Sequence, residues 1–363
     1  MQKKLIALAV ASALTVPALA LADTSNVSVY GIADVSFDMT DNGDAGGKNG
    51  ANTHKVSSNQ SRLGLKGAED LGGGLKAVWQ IEQAISIDNS GTTQGLATRN
   101  TFAGLASDSW GQVVLGRNDT PYKTSTRGLD VFMDHQGDNR NLMGTGKAGF
   151  DVRLTDTIRY DSPNVSGFKA AVSYTASGEN NTLDSDQRGK VWSVSGNYAT
   201  GPFSAAAAYQ KNTFGTTAGA LAAGPNTDEK AWKIGGGYKD SQFTVNGVYE
   251  RTKDNAGAAG LGHKAFYLAG AFKATAADSI NLAYTKARNA GEGSTANSGA
   301  KQFSVGVDHN MSKRTTFYAL YSKLDNDSGA AKTLGIASST GLTAPVAAGA
   351  DPSGFSVGMK HTF

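Results

Sequence analysis

Apolar and polar residues alternate along most of this chain, and this alternation constrains its fold more than any other feature. The segments FKAAVSYTA (168–176), VWSVSGNYA (191–199), WKIGGGY (232–238) and FTVNGVYE (243–250) each place apolar side chains at every second position. A period of two residues is typical of a β-strand with one apolar face. No long helical period interrupts the pattern, so the sequence predicts an all-β protein.

The apolar face of these strands has an aromatic residue near each end and small or aliphatic residues between them. Aromatic side chains prefer the two membrane–water interfaces, whereas aliphatic side chains suit the hydrocarbon between them. A soluble sandwich has no reason to repeat this order, so the pattern favours a transmembrane β-barrel. The pairs are Phe168 and Tyr174, Trp192 and Tyr198, Trp232 and Tyr238, and Phe243 and Tyr249.

The connections between strands alternate in length. Seven short turns, rich in Gly, Asp, Asn and Ser, lie at 70–74, 108–111, 161–167, 200–202, 239–242, 274–279 and 310–314. Eight long polar stretches lie near 39–54, 86–96, 118–150, 177–189, 212–228, 253–262, 289–299 and 325–352. Fifteen connections predict a 16-stranded antiparallel barrel with short periplasmic turns and long extracellular loops, closed by its two terminal strands, near 26–38 and 353–363.

The N-terminus has the features of a secretory signal peptide. Lys3 and Lys4 precede a short apolar run that contains Pro17, and Ala20-Leu21-Ala22 is a small-residue cleavage signal. We therefore expect residues 1–22 to be removed and residues 23–363 to form a single barrel domain. The chain has no cysteine, and an exported protein that closes a large sheet does not need disulfides.

Three segments resemble one family. SRLGLKGAEDLGGGLKAVWQIEQ (61–83), GQVVLGRNDTPY (111–122) and TIRYDSPNVSGFKAAVSY (157–174) are similar to the general porins of β-proteobacteria, which include the neisserial porins. The resemblance implies a trimeric barrel in the Gram-negative outer membrane whose third extracellular loop folds into the lumen. It also implies passive diffusion of small hydrophilic solutes and ions. In this family a C-terminal aromatic residue, here Phe363, is an address for the barrel-assembly machinery.

The alternation also predicts which charges line the lumen. In SRLGLK (61–66) the leucines face lipid, so Arg62 and Lys66 face inward, and the same reasoning in VRLTDTIRY (152–160) turns Arg153 and Arg159 inward. Arg99 is a further candidate with a less regular pattern around it. Sixteen strands enclose an aqueous channel, so these five residues are the predicted basic wall of its constriction.

The stretch 118–150 corresponds to the infolded loop, and Asp130, Asp134 and Asp138 are its candidate acids. Acids that face the basic wall would create a transverse field at the narrowest point, and such fields govern ion selectivity. Alternatively, the acids pair with wall arginines and pin the loop. The porin family often prefers anions, and the loop acids reduce our expectation for this chain to a weak anion preference.

Other functions have less support. A substrate-specific channel would line its lumen with aromatics, but here only Tyr267 and Tyr318 break the lipid-facing pattern. An adhesive barrel without conductance is a further alternative. No nucleophile–base motif, metal-ligand cluster or phosphate-binding glycine loop is found, so we expect no enzyme, metal or cofactor. No basic patch interleaved with aromatics suggests nucleic-acid binding. The expected partners are solutes, ions and outer-membrane lipid.

Overall fold

The computed structural model describes residues 26–43, 52–88, 95–146, 149–176, 189–215, 227–288, 297–335 and 346–363. The predicted signal peptide lies outside these residues. The strand segments in the described part are β1 (Asn26–Asp41), β2 (Asn52–Ser58), β3 (Arg62–Gly72), β4 (Leu75–Ala84), β5 (Thr101–Ser107), β6 (Gly111–Asp119), β7 (Arg153–Asp161), β8 (Phe168–Ala176), β9 (Lys190–Thr200), β10 (Phe203–Thr213), β11 (Asp228–Lys239), β12 (Phe243–Lys253), β13 (Lys264–Lys273), β14 (Asp278–Arg288), β15 (Ala300–Asn310), β16 (Thr315–Asn326) and β17 (Ser353–Thr362).

The segments form a closed antiparallel barrel of 16 strands, as the sequence predicts. β2 and β3 both pair with β1, one after the other, and are therefore two parts of one strand. The break between them includes Gln60, whose φ of 55° departs from the extended conformation. β17 pairs with β1 from Ile32↔Thr362 to Asp41↔Ser353, so the two terminal strands close the sheet. Closure leaves no strand edge unpaired in lipid.

The predicted alternation of connections is confirmed. Turns such as 201–202 and 240–242 join strands at one end of the barrel, and long connections such as 85–100 and 254–263 join them at the other. Among the described residues, no helix is long and apolar enough to cross a membrane.

The alternation separates a lipid-facing surface from an inner surface on which the third long loop packs. In β13, Leu268 is 58% exposed on the outside, whereas Tyr267, its neighbour in the chain, is 2% exposed on the inside. The inward residues are buried because the third long loop packs on them. That loop, residues 120–152, begins with helix α1 (Pro121–Thr126), where the Thr120 side chain accepts a hydrogen bond from the Lys123 N–H and Pro121 occupies the first turn.

Glycines in β11 let the infolded loop approach the wall. A Cβ at Gly235 would lie 2.7 Å from Leu129 Cδ1 of the loop. Gly235 and Gly237, the inward glycines of the GGG sequence, therefore have a packing role, because a larger inward side chain would push the loop toward the lumen axis.

Candidate pore constriction

The five predicted basic residues lie on one contiguous part of the wall. Arg62 and Lys66 belong to β3, Arg153 and Arg159 belong to β7, and Arg99 lies just before β5. β3 to β7 are successive neighbours in the sheet. The register therefore brings together residues that lie up to about a hundred positions apart in the sequence, and we call this set the basic wall.

One half of the basic wall surrounds Glu82 of β4. The Arg99 Nε lies 2.6 Å from Glu82 Oε1, and the Tyr30 hydroxyl donates to Glu82 Oε2 at 2.9 Å. The Lys66 Nζ lies 5.2 Å from the centre of the Tyr30 ring. Within the described residues no carboxylate lies within 4.0 Å of Lys66. This half of the wall therefore keeps an excess of positive charge.

The other half of the basic wall surrounds Asp119 at the end of β6. The Arg153 Nη2 and the Lys123 Nζ lie 3.0 and 2.8 Å from the two Asp119 carboxylate oxygens. Arg159 donates to the Asp119 carbonyl oxygen at 2.6 Å, and its Nη2 also lies 2.6 Å from Asp161 Oδ1. These bonds hold the guanidinium groups at fixed positions where the loop leaves the wall.

The loop acids are neutralised mainly by arginines of the same loop. Asp138, whose side chain is fully buried, accepts from Arg127 Nη2 at 3.0 Å and from Arg140 Nη2 at 2.8 Å. Asp134 contacts both guanidinium groups at 3.0 and 3.1 Å. Asp130 is also buried and lies 3.7 Å from Arg127. The acids therefore form an ion-pair cluster inside the loop.

The environment of the loop acids keeps them charged at neutral pH. Burial disfavours charge on Asp138, but Arg127 and Arg140 outweigh it and hold the pKa of Asp138 well below its ordinary value. Burial, together with the neighbouring Asp138, raises the pKa of Asp130 to about 6. Asp130 therefore ionises as the pH rises through about 6, and Arg127 is the cation nearest to its carboxylate.

Direct contact between loop acids and the basic wall is limited. In the described part of the chain, the Arg62 Nη1 to Asp134 Oδ2 distance of 3.7 Å is the one ion pair that joins them. Pairing with wall arginines, the alternative predicted from the sequence, is thus confined to Arg62, and the neutralising role of Arg127 and Arg140 was not predicted. The spacing of Arg127 three residues before Asp130 was the available signal.

Hydrogen bonds from the barrel wall hold the loop in the lumen, and sequence reasoning missed most of these anchors. At the start of the loop, the Tyr122 hydroxyl donates to Glu250 Oε2 at 2.8 Å, and His263 Nε2 lies 2.9 Å from Glu250 Oε1. At the tip, His135 Nε2 lies 3.0 Å from Asp34 Oδ2. These contacts join the loop to opposite parts of the barrel, from β12 to β1.

The two tyrosines that the sequence predicts to face inward, Tyr267 and Tyr318, take part in this anchoring. The Tyr267 hydroxyl donates to Asp130 Oδ1 at 3.0 Å and accepts from the Val131 N–H at 2.9 Å. The Tyr318 hydroxyl donates to Asp34 Oδ1 at 2.8 Å. Because both rings are buried by the loop, they do not form the exposed aromatic track that a sugar channel would need.

Phe363 lies at the end of the barrel that carries the short turns. Its N–H donates to the Gly31 carbonyl oxygen at 3.1 Å, and its own carbonyl oxygen accepts from the Gly31 N–H at 3.0 Å. The ring is 48% exposed and covers Gly31 so closely that a Cβ there would collide with it. The last residue therefore completes the seam between β17 and β1.

Comparisons with known proteins agree with this architecture. The profile of a family described as "Gram-negative porin" matches residues 7–329. The chain is 29% identical over 369 residues to outer membrane porin protein 32 of Delftia acidovorans, with 100% of each chain covered. It is 28% identical to the major outer membrane protein P.IB of Neisseria lactamica, covering 94% of this chain and 99% of that one.

A solved structure is similar over nearly the whole chain. The anion-selective porin from Comamonas acidovorans superposes with a TM-score of 0.76 and 26% identity, covering 94% of this chain and 100% of that one.

Proposed function

The chain belongs to the Gram-negative porin family, and from this premise we propose that its basic wall gives an outer-membrane diffusion channel a preference for anions. The protein is an outer-membrane porin that forms a water-filled channel for small hydrophilic solutes and ions. Its relatives are channels rather than enzymes. The proposed anion preference depends on the charges at the constriction.

The observation that carries the proposal is the unequal neutralisation of the two sides. The loop acids are paired with Arg127 and Arg140, whereas Lys66 on the wall has no carboxylate within 4.0 Å in the part of the chain described. Low-dielectric walls concentrate such a field in a narrow passage. Anions are therefore attracted to the passage. Arginine and lysine side chains arranged around a pore favour the passage of anions. The anion-selective porin among the similar structures supports the same sign.

We expect the double variant Arg62→Gln, Lys66→Gln to shift the reversal potential in a salt gradient toward cations. At ~0.1 M salt, screened Coulomb interaction changes the local concentration of an ion ~8 Å away by roughly 1.5-fold per removed charge. The concentration falls for anions and rises for cations, so removal of two charges should lower the anion-to-cation permeability ratio roughly fivefold. The measurement is planar-bilayer recording from the purified protein.

The matched control for this double variant is Lys211→Gln, Lys230→Gln, which removes the same charge from the outside of the barrel. In bilayers of zwitterionic lipid, the control should keep the reversal potential of the parent. An unchanged potential in the wall variant, or an equal shift in the control, would exclude the basic wall as the selectivity element.

We also propose that the barrel assembles as a homotrimer through the outer face of its first strands. That face exposes aliphatic side chains such as Val29 (62%), Leu63 (40%) and Leu105 (43%). We expect light scattering of the detergent-solubilised protein to give the protein mass of three chains. A protein mass of one chain would contradict the proposal.

Two further steps belong to biogenesis. We propose that residues 1–22 are a signal peptide that is removed on export, since the lysines, apolar run and small-residue site occur in the required order. We propose that the barrel-assembly machinery recognises the C-terminal aromatic residue. The position of Phe363 at the seam supports this role, because the ring is half exposed in the isolated barrel.

A further inference from the structure

The break between β2 and β3 is a β-bulge that contains one extra residue. Pairing with β1 stops at Ser58 and resumes at Arg62, whereas the partner positions in β1 move only from Val35 to Ile32. Three residues therefore lie opposite two residues of β1. A bulge of this kind bends the strand and redirects its side chains.

The bulge changes which positions of the strand face lipid. In β2 the even position is outward, since Val56 is 53% exposed and Ser57 is fully buried. In β3 the odd position is outward, since Leu63 is 40% exposed. A shift of one residue moves the following side chains to the opposite face of a sheet. Because of the extra residue, Val56 faces lipid in the upper half of the strand while Arg62 and Lys66 face the lumen in the lower half.

Side-chain hydrogen bonds replace the interrupted backbone pairing at the bulge. The Ser61 hydroxyl accepts from the Asp34 N–H at 2.9 Å and donates to the Asp34 carbonyl oxygen at 2.9 Å. The Asn59 N–H also donates to the Asp34 carbonyl oxygen, at 2.8 Å. Buried backbone groups need such partners, so these bonds stabilise the bulge in one conformation.

Gln60 has the unusual backbone conformation that the bulge requires. Its φ of 55° lies in the left-handed region, which is unfavourable for residues with a long side chain. A glycine would adopt this conformation without a steric cost. Strained residues concentrate at functional sites, where the surrounding structure maintains them. The presence of glutamine at this position therefore indicates that its side chain has a role.

Gln60 contacts two arginines of the basic wall. Its side-chain Oε1 accepts from Arg99 Nη1 at 2.6 Å, although Arg99 lies 39 positions away in the sequence. Its backbone carbonyl oxygen accepts from Arg62 Nη1 at 3.0 Å. A single residue at the bulge thus fixes the positions of both guanidinium groups.

The two acceptor atoms of Gln60 carry no formal charge. Other guanidinium groups of the wall are held by carboxylates, since Asp119 pairs with Arg153 and Asp161 pairs with Arg159. A carboxylate holds a guanidinium group but cancels its positive charge. The oxygens of Gln60 hold their two partners and leave the positive charge in place.

We propose that Gln60 is a positioning residue for anion passage, because it holds Arg62 and Arg99 at the constriction without neutralising them. Without the side-chain oxygen, Arg99 Nη1 would turn toward Glu82, whose Oε1 already lies 2.6 Å from Arg99 Nε. The positive charge would then be drawn away from the passage. This inference rests on the proposed anion preference and names a residue that maintains it.

The test measures the reversal potential of two Gln60 variants in planar bilayers under a salt gradient. Gln60→Met removes the acceptor and keeps an unbranched side chain, whereas Gln60→Gly removes the whole side chain and adopts a φ of 55° readily. Both should lower the anion-to-cation permeability ratio roughly 1.5-fold. Removal of a whole charge would lower it roughly twofold at ~0.1 M salt, and here the charge of Arg99 is displaced rather than removed.

A double-mutant cycle tests whether Gln60 acts through Arg99. In an Arg99→Gln background, Gln60→Met should cause no further change in the permeability ratio, because the group that it positions is absent. The matched control is Gln80→Met. Gln80 is the cross-strand partner of Lys66 on the same inner surface, but its side chain donates to the Asn100 carbonyl oxygen at 3.0 Å. This control should keep the reversal potential of the parent.

Unchanged potentials in both Gln60 variants would overturn the proposal, as would an equal shift in the Arg99→Gln background or in Gln80→Met. A shift in only one of the two Gln60 variants would also overturn it, since the shift would then reflect side-chain bulk or the backbone instead of the acceptor. Heat-modified mobility verifies that each variant is folded.

The double variant Arg62→Gln, Lys66→Gln, recorded in parallel, distinguishes this inference from the proposed function. If the double variant shifts the reversal potential and the Gln60 variants do not, the role of Gln60 alone is refuted. If none of them shifts it, the anion preference of the basic wall is refuted as well.

Discussion

Deletion of Phe363 is expected to reduce the yield of assembled barrel tenfold or more, whereas molecules that do assemble should keep the conductance of the parent. The deletion removes both hydrogen bonds to Gly31 at the seam. Unpaired backbone groups in lipid cost several kcal/mol each, and every ~1.4 kcal/mol is a factor of ten in an equilibrium. Conductance should be retained because the proposed constriction, formed by the loop and the basic wall, does not include Phe363.

A second variant separates the ring from the backbone. Phe363→Ser keeps both hydrogen bonds and removes only the ring that covers Gly31. If the ring is the assembly signal, the yield of assembled Phe363→Ser barrel should fall nearly as far as the yield of the deletion variant. Phe355→Ala, which removes another outward aromatic of β17, should assemble normally. Heat-modified mobility of outer-membrane fractions measures all three, and an equal loss in Phe355→Ala would refute a special role for the last residue.

The variant Asp138→Asn is expected to disrupt the docked loop and produce noisy channels with a higher mean conductance. Asp138 is fully buried and pairs with two guanidinium groups, which would keep Asp134 as their only shared carboxylate partner among the described residues. Breaking a buried ion pair by removal of one partner costs about 3–5 kcal/mol. The strands should remain folded, because their hydrogen bonds do not involve this cluster. Current noise and conductance in planar bilayers are the measurements.

The control for this variant is Asp108→Asn, the same chemical change at a short turn where the side chain is 94% exposed. It should leave both conductance and noise unaltered. Quiet channels of parental conductance from Asp138→Asn would show that the remaining anchors, Tyr122 and His135 among them, hold the loop without its ion-pair cluster.

The fold was predictable to an unusual extent because its physical cause is local. A strand in a membrane barrel presents its side chains alternately to lipid and to the lumen. The sequence FTVNGVYE (243–250) therefore indicates by itself which side chains face lipid. The same logic correctly turned Tyr267 and Tyr318 inward. It did not indicate what their hydroxyls bind, because Asp130 and Asp34 are distant in sequence.

By itself the sequence determined the number of strands, their orientation, the alternation of turns and loops and the closing seam, because side-chain alternation and turn chemistry are short-range properties. Tertiary structure decided which charges meet. Only the folded loop brings Asp134 to Arg62 and Asp130 to Tyr267. Coulomb energies depend on distances of a few ångströms between residues that the chain separates widely, and the closed barrel fixes those distances.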